Sequence, residues 1–258
     1  MIMEIVDGLN ASLIWETLTS EQKHKLCLAI GDLYSSLLSL RFDSIGSMHE
    51  SEGRLFIGPL VTTETGIDID AAPDPDKCGP FLDAAHWLVA TAKGDTRFAL
   101  PPSSQFHNTA HQSYVCSIID DINCSTDLAA DKTPIVLDHR DFSMQNIIVR
   151  SDDPTVIAGI IDWEGARTVP IWATNPRFIW PIFAPTEEKD HFHLILRDHI
   201  METTPEWGHA LGEETLPMRL LERRARLSMA KETDFDWSVP PLHFLSATTA
   251  PRTSVTYV

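Results

Sequence analysis

The sequence is poor in basic residues relative to acidic ones. Its 258 residues contain 20 Lys and Arg against 37 Asp and Glu, which gives a formal net charge of −17. Nucleic acids and anionic membrane surfaces are bound through basic patches, so this balance argues against both classes of partner. An acidic surface suits a cationic small molecule, although charge that only keeps the protein soluble explains the same composition.

Cysteine and long hydrophobic runs are also scarce. The four cysteines lie far apart and form no CxxC pair, which argues against a disulfide framework or a structural zinc site. The amino-terminal sequence MIMEIVDGLN has neither a basic stretch nor a long apolar run, unlike a signal peptide. No stretch approaches the roughly 18 apolar residues of a membrane span. The sequence therefore predicts a cytoplasmic protein.

The chain does contain helical periodicity and, at its centre, short apolar runs. Leucine and isoleucine recur at three- and four-residue spacing after the capping-box pattern TSEQ at 19–22, which predicts a helix over about 20–41. Similar patterns predict further helices near 81–93, 106–122, 187–200 and 216–230. Three β-branched runs predict short strands at 135–137, 147–149 and 156–161. The predicted fold class is α+β, mainly helical with a few short central strands.

Polar residues of a distinct pattern surround these strands. The sequence HRDFSMQN occupies 139–146, between the first two strands, and Asp162 ends the third strand within IIDWE. Two oxygen ligands at adjacent strand ends, Asn146 and Asp162, predict a Mg²⁺ site completed by phosphate oxygens and water. Asp141 can accept a proton from an attacking hydroxyl or orient it. Phosphoryl transfer needs this combination of metal, positioning and a group that aims the nucleophile.

The segments IVLDHRDFSMQNIIV and IAGIIDWEGARTVP resemble the aminoglycoside phosphotransferase/choline kinase family, especially its large fungal branch. The WE after Asp162 favours this family over ordinary protein kinases, which have DFG there. The resemblance implies a protein-kinase-like fold and transfer of phosphate from ATP, with Mg²⁺, to a hydroxyl of a small molecule. It implies that Asp141 is the catalytic base and that Asn146 and Asp162 bind Mg²⁺. It also implies that His139 is structural and holds the loop by hydrogen bonds.

The amino-terminal end departs from the family pattern. Met3-Glu4-Ile5-Val6 resembles the hinge strand of kinase-like enzymes, in which the backbone of Glu4 and Val6 would meet the adenine of ATP; an ordinary edge strand is the alternative. No glycine-rich loop precedes it, and none of the seven lysines lies on a plausible nucleotide-covering strand. The sequence therefore predicts a carboxy-terminal lobe alone over 1–245. Within it, 1–8 is hinge-like and 137–164 carries the catalytic and metal loops, while 246–258 forms a loose tail.

Two classes of function remain open. The intact motifs favour a phosphotransferase whose acceptor is a small hydroxyl compound, cationic if the acidic surface is used. The missing loop and lysine favour a binding or regulatory module, truncated or pseudokinase-like, that binds nucleotide weakly. In either case, an absent lobe would leave Ile2, Ile5 and the strands near Ile147 and Ile160 partly uncovered. This predicts self-association, or binding of a partner, through the face beside Asp141 and Asp162.

Overall fold

The computed structural model describes residues 6–61, 75–94, 109–174 and 178–227. This part of the chain is α+β, about half helical with two small antiparallel sheets, as the sequence predicts at this level. The described residues all belong to one compact unit that spans 1–228. The predicted tail at 246–258 lies outside the described residues.

The helices of the described ranges vary from one turn to five. They are Ala11–Ile14 (α1), Ser20–Ser39 (α2), Ala84–Lys93 (α3), Thr109–Cys124 (α4), Thr126–Ala130 (α5), Thr186–Thr203 (α6), Pro205–Ala210 (α7) and Leu216–Leu227 (α8). All five predicted helices are confirmed, and those of their ends that lie inside the described ranges are shifted by up to three residues. The three short helices α1, α5 and α7 have too few turns to give a periodic pattern, so the sequence does not predict them.

Local sequence explains where the longer helices begin and end. Thr19 accepts a hydrogen bond from the Gln22 amide, and the Gln22 side chain accepts one from the Thr19 amide, which confirms the predicted capping box of α2. Asp83 caps α3 through the amide of His86. Helix α3 ends at Gly94, whose φ of 78° places it in the left-handed region that glycine tolerates.

The strands form two sheets. They are Leu9–Asn10 (β1), Gly46–Ser51 (β2), Arg54–Gly58 (β3), Ile135–Asp138 (β4), Ile147–Val149 (β5), Ile157–Ile160 (β6) and Arg167–Pro170 (β7). One sheet has the order β1-β5-β6 and the other the order β3-β2-β7-β4, with all pairs antiparallel. The three predicted central strands are β4, β5 and β6. The additional strand β7 places the chain after Asp162 beside the strand before His139.

The core joins the helices to both sheets. Helix α2 packs along α6 and also contacts β4 and β6. Four tryptophans, Trp15, Trp87, Trp172 and Trp207, are almost completely buried among the aliphatic residues. No helix within the described ranges is both long and apolar enough to cross a membrane. The consequence for function is that the loops at 139–146 and 161–166 emerge from a rigid, packed support.

Candidate functional site

The β5–β6 hairpin brings the two predicted metal ligands to neighbouring positions. In the register of this pair, Ile147 lies opposite Ile160. The pairing continues one step further, because the Ile161 amide donates a hydrogen bond to the Asn146 carbonyl at 2.9 Å. Asp162 follows directly. Asn146 and Asp162 thus flank the same open end of the hairpin, where the sequence places them.

The side chain of Asn146 is oriented by Asp141. Its Nδ2 donates to the Asp141 backbone oxygen at 2.9 Å and to the carboxylate Oδ2 at 3.2 Å. Asn146 is 7% exposed, whereas Asp141 and Asp162 are exposed. Because the amide nitrogen faces Asp141, the amide oxygen Oδ1 points elsewhere, and it accepts no hydrogen bond from the described residues. An oxygen donor held in this way suits a hard cation.

His139 connects the two loops. The side chain is 0% exposed, and its Nε2 lies 3.1 Å from the backbone oxygen of Ile161. A carbonyl oxygen only accepts, so Nε2 carries the proton in this contact. Within the described residues the buried Nδ1 has no hydrogen-bond partner. This geometry suits the structural role that the resemblance implies for His139. The ring is fully buried, so neither nitrogen is exposed to exchange a proton with a bound substrate.

Both loops contain a residue in the left-handed backbone region. Arg140 has φ 70° in a three-residue turn that is closed by a 2.9 Å hydrogen bond from the Asp141 amide to the His139 oxygen. Asp162 has φ 63°. A non-glycine residue held in this region costs about 1–3 kcal/mol and persists only when its surroundings fix it. The residue directly before the predicted base and one predicted metal ligand therefore adopt strained backbone that the fold holds in place.

An ion pair that sequence reasoning did not identify lies directly beneath the loops. Asp138, whose side chain is 2% exposed, faces Arg167 across the β4–β7 pair, with Oδ2 at 3.4 Å from Nε. The other oxygen of Asp138 accepts a hydrogen bond from the Arg140 amide at 3.2 Å. The Arg167 guanidinium lies over the Trp87 ring, 5.7 Å from its centre. The signal available in the sequence was a charged residue at the end of each of two apolar strands, IVLD and RTVP.

The charge of Asp138 also acts on its buried surroundings. Tyr34 is 4% exposed, and its ring packs against that of Phe142 in the 139–146 loop, with centres 5.2 Å apart. Burial raises the pKa of the Tyr34 hydroxyl far above its usual value, and the negative charge of Asp138 raises that pKa further. The support beneath the loop is therefore a low-dielectric environment that contains a paired charge.

Residues 6–10, where the described part of the chain begins, run along the β1-β5-β6 sheet. Leu9 pairs with Val149 in β5, and Asn10 donates a hydrogen bond from Nδ2 to the Gln145 oxygen at 2.6 Å. Val6 lies against Gly159 of β6, because a Cβ added at Gly159 would be only 3.1 Å from a Val6 methyl group. Glu4, the other proposed adenine contact, lies outside the described residues, so the hinge assignment stays a prediction.

Exposure of the apolar residues near the site varies along the two strands. In β5, Ile147 and Val149 are fully buried while Ile148 between them is half-buried, so this strand is uncovered on one face only. Ile160 is half-buried, whereas Ile161 and Trp163 are 37% and 42% exposed. The Trp163 ring is fixed by a hydrogen bond to the Ile160 oxygen and lies 4.6 Å from the His139 ring. Self-association stays a prediction, and Ile2 and Ile5 lie outside the described residues.

The described side chains do not form a ready-made cage for a metal, since no three His, Cys, Asp or Glu residues converge in these ranges. The donor set that is present consists of one amide oxygen and one carboxylate. Magnesium at phosphoryl-transfer sites takes one or two protein oxygens together with phosphate oxygens and water. Asn146 and Asp162 fit that requirement.

In comparisons with known proteins, no protein-family model matches the chain, and no curated protein matches it.

Proposed function

We propose that this chain is a kinase-like carboxy-terminal lobe that binds a Mg²⁺–nucleotide complex and supports phosphoryl transfer to a hydroxyl of a small molecule. One observation carries the proposal. At the open end of the β5–β6 hairpin, the Asn146 carbonyl accepts a hydrogen bond from Ile161, the residue before Asp162, while the Asn146 side chain donates to Asp141. A base and two oxygen ligands thereby meet on one pair of loops. The family resemblance of these motifs supports the same assignment.

Each residue has a distinct chemical task in this proposal. The exposed carboxylate of Asp141 takes the proton of the acceptor hydroxyl, or orients that hydroxyl towards the phosphate. Asn146 fixes this carboxylate through Nδ2. Asn146 Oδ1 and the Asp162 carboxylate would hold Mg²⁺, which supplies charge neutralisation for the phosphate oxygens when bound. His139 ties the two loops together.

A calorimetric titration tests the proposal. ATP with Mg²⁺ should bind the wild-type chain measurably, ATP without metal should bind more weakly, and Asp162→Ala should remove the metal-dependent part. Asp152→Ala is the matched control, because Asp152 is an exposed aspartate at the opposite end of the same hairpin, paired with Arg150. Equal affinity with and without metal, or in Asp162→Ala, would contradict the proposal.

The placement of the lysines favours a second candidate, a nucleotide-binding module without appreciable turnover. Lys23 pairs with Glu188 at 2.6 Å, Lys25 pairs with Glu21, and Lys189 donates to the Ile182 oxygen. These three ammonium groups thus have protein partners in the structure, although only the Lys23–Glu188 pair is largely shielded from solvent. Glu188, in the acidic first turn of α6, is occupied by the same ion pair. Metal-dependent binding without Asp141-dependent transfer to any acceptor would identify this second function.

A further inference from the structure

We propose that Asp138 is a positioning residue that, together with His139, clamps the loop carrying Asp162 at both of its ends. The inference rests on the proposed function for its metal site, and it adds two residues, Asp138 and Arg167, to which the motifs assign no role. The loop in question is 161–166, between the last residue of β6 and the first residue of β7.

The two ends of this loop are held by consecutive residues of the chain. His139 Nε2 contacts the Ile161 oxygen at one end, and Asp138 Oδ2 contacts Arg167 at the other. Both holding side chains are buried, at 2% and 0% exposure for Asp138 and His139. The loop between the two anchors contains the left-handed Asp162 and Gly165. Both ends of the loop are therefore anchored to consecutive residues at the end of β4, in addition to the hydrogen bond from the Ala166 amide to the Trp163 oxygen within the loop.

Asp138 acts at the same time on the catalytic loop. Its Oδ1 accepts the Arg140 amide at 3.2 Å, and Arg140 is the left-handed residue directly before Asp141. The buried carboxylate of Asp138 thus contacts both loops. One oxygen binds the Arg140 amide, before Asp141, and the other binds Arg167, in the strand after Asp162. The Asp138 side chain links the two loops in addition to the backbone pairing of Asp138 with Arg167 in the β4–β7 ladder. The Trp87 ring restricts Arg167 from the side of α3.

The simplest alternative is that Asp138 and Arg167 only neutralise each other's charge in the core. The chain offers a matched control for it. Like Asp138, Asp131 uses both carboxylate oxygens. Its Oδ1 accepts a hydrogen bond from the amide two residues later, that of Thr133, and its Oδ2 accepts one from Trp172 Nε1 at 2.8 Å. It lies before β4, away from both loops. Asp131→Ala therefore measures the loss of a similar pair of hydrogen bonds, although to an uncharged partner, without the clamp. Arg167→Lys, which keeps the charge opposite Asp138, measures the contribution of neutralisation.

The first measurement is the affinity of ATP with Mg²⁺ for the folded variants. Removal of a residue that orients a metal ligand typically costs about 10–100-fold in metal affinity. We expect a loss of that size in Asp138→Ala, a smaller one in Asp138→Asn, which keeps an oxygen for the Arg140 amide, and a change within about twofold in Asp131→Ala. Wild-type affinity in Asp138→Ala, or a loss equal to that of Asp131→Ala, would overturn the proposal. If Asp138→Ala does not fold, Asp138→Asn and Arg167→Lys replace it, and each must lose affinity.

The second measurement separates the clamp from the proposed function. Amide hydrogen exchange should accelerate at 139–146 and at 161–167 in Asp138→Ala, and not there in Asp131→Ala. If the wild-type chain binds no metal–nucleotide complex, the proposed function fails, and the exchange pattern alone decides the clamp. Faster exchange confined to the two loops supports it, while a uniform change or none at these loops overturns it.

Discussion

The side-chain nitrogen of Asn146 donates to both the backbone oxygen and the carboxylate of Asp141, at 2.9 and 3.2 Å. This double contact decides which end of the Asn146 amide faces the proposed base. The nitrogen is consumed by Asp141, so the oxygen is the atom left for a cation. An aspartate at position 146 would offer more negative charge to a metal but could not make this contact.

Asn146→Asp should therefore destabilise the protein in the absence of metal. The substitution replaces a buried donor by an acceptor and sets two carboxylates against each other, and an unmade buried hydrogen bond costs about 1–3 kcal/mol. Urea unfolding at neutral pH without divalent cations measures the loss. Gln145→Glu is the control, because it adds the same charge one residue earlier on an exposed side chain. Equal stability of the two variants would show that the contact with Asp141 contributes nothing.

Turnover by this 258-residue chain should be very slow even if it binds nucleotide. On the proposed function, this sequence offers no glycine-rich loop and no lysine on a strand that could pair with the phosphates. Loss of one preorganised electrostatic contact typically costs about 10²–10³ in rate, and two are missing here. A coupled assay of ATP consumption with hydroxylated acceptors checks this. Turnover at roughly 1–100 s⁻¹ that disappears in Asp141→Asn would show that the chain needs neither element.

The sequence predicts those parts of the structure that depend on local chemistry. The start of α2 follows from the capping box at Thr19, and the three central strands follow from β-branched runs. The neighbourhood of Asn146 and Asp162 was also predictable, because a short turn between two apolar strands produces an antiparallel hairpin. These features involve residues close together in the chain, for which spacing alone is informative.

The sequence does not predict features that depend on distant pairing. Strand β7 is only four residues long and reads RTVP, and the strand becomes recognisable through its pairing with β4. The Asp138–Arg167 pair is a consequence of that register, 29 residues apart in the chain. The burial of Ile147 depends on helices that pack over the sheet. No local pattern specifies which apolar strand faces such a layer.

The capping box gives a quantitative test of the local prediction. Thr19→Ala should lower the free energy of unfolding by about 1 kcal/mol, because the amide of Gln22 loses its acceptor at the start of a 20-residue helix. Thr19→Ser keeps the hydroxyl and should stay close to the wild type. Chemical denaturation of the three proteins measures this. An unchanged Thr19→Ala would mean that the start of α2 is fixed by its packing on α6 alone.

The buried thiol of Cys27 should make stability depend on alkaline pH. Burial raises its pKa from 9.0 to about 12, so the folded state holds the proton more tightly than the unfolded chain. The corresponding stability is complete below pH 9 and is lost as the pH rises towards 12, by at most about 1.4 kcal/mol per pH unit. Cys27→Ala should lower stability at neutral pH but show a shallower decline between pH 9 and 11. Parallel declines in the two proteins would contradict this assignment.

The central claim is that a divalent cation sits between Asn146 and Asp162, and paramagnetic broadening of amide NMR signals by Mn²⁺ tests it most directly. With ATP present, Mn²⁺ should broaden the signals of 145–147 and 161–163 first. Residues 151–154, at the opposite end of the hairpin, should be affected less, and Asp162→Ala should abolish the pattern while Asp152→Ala preserves it. Broadening centred on the acidic start of α6 at 187–190, or an unchanged pattern in Asp162→Ala, would contradict the account.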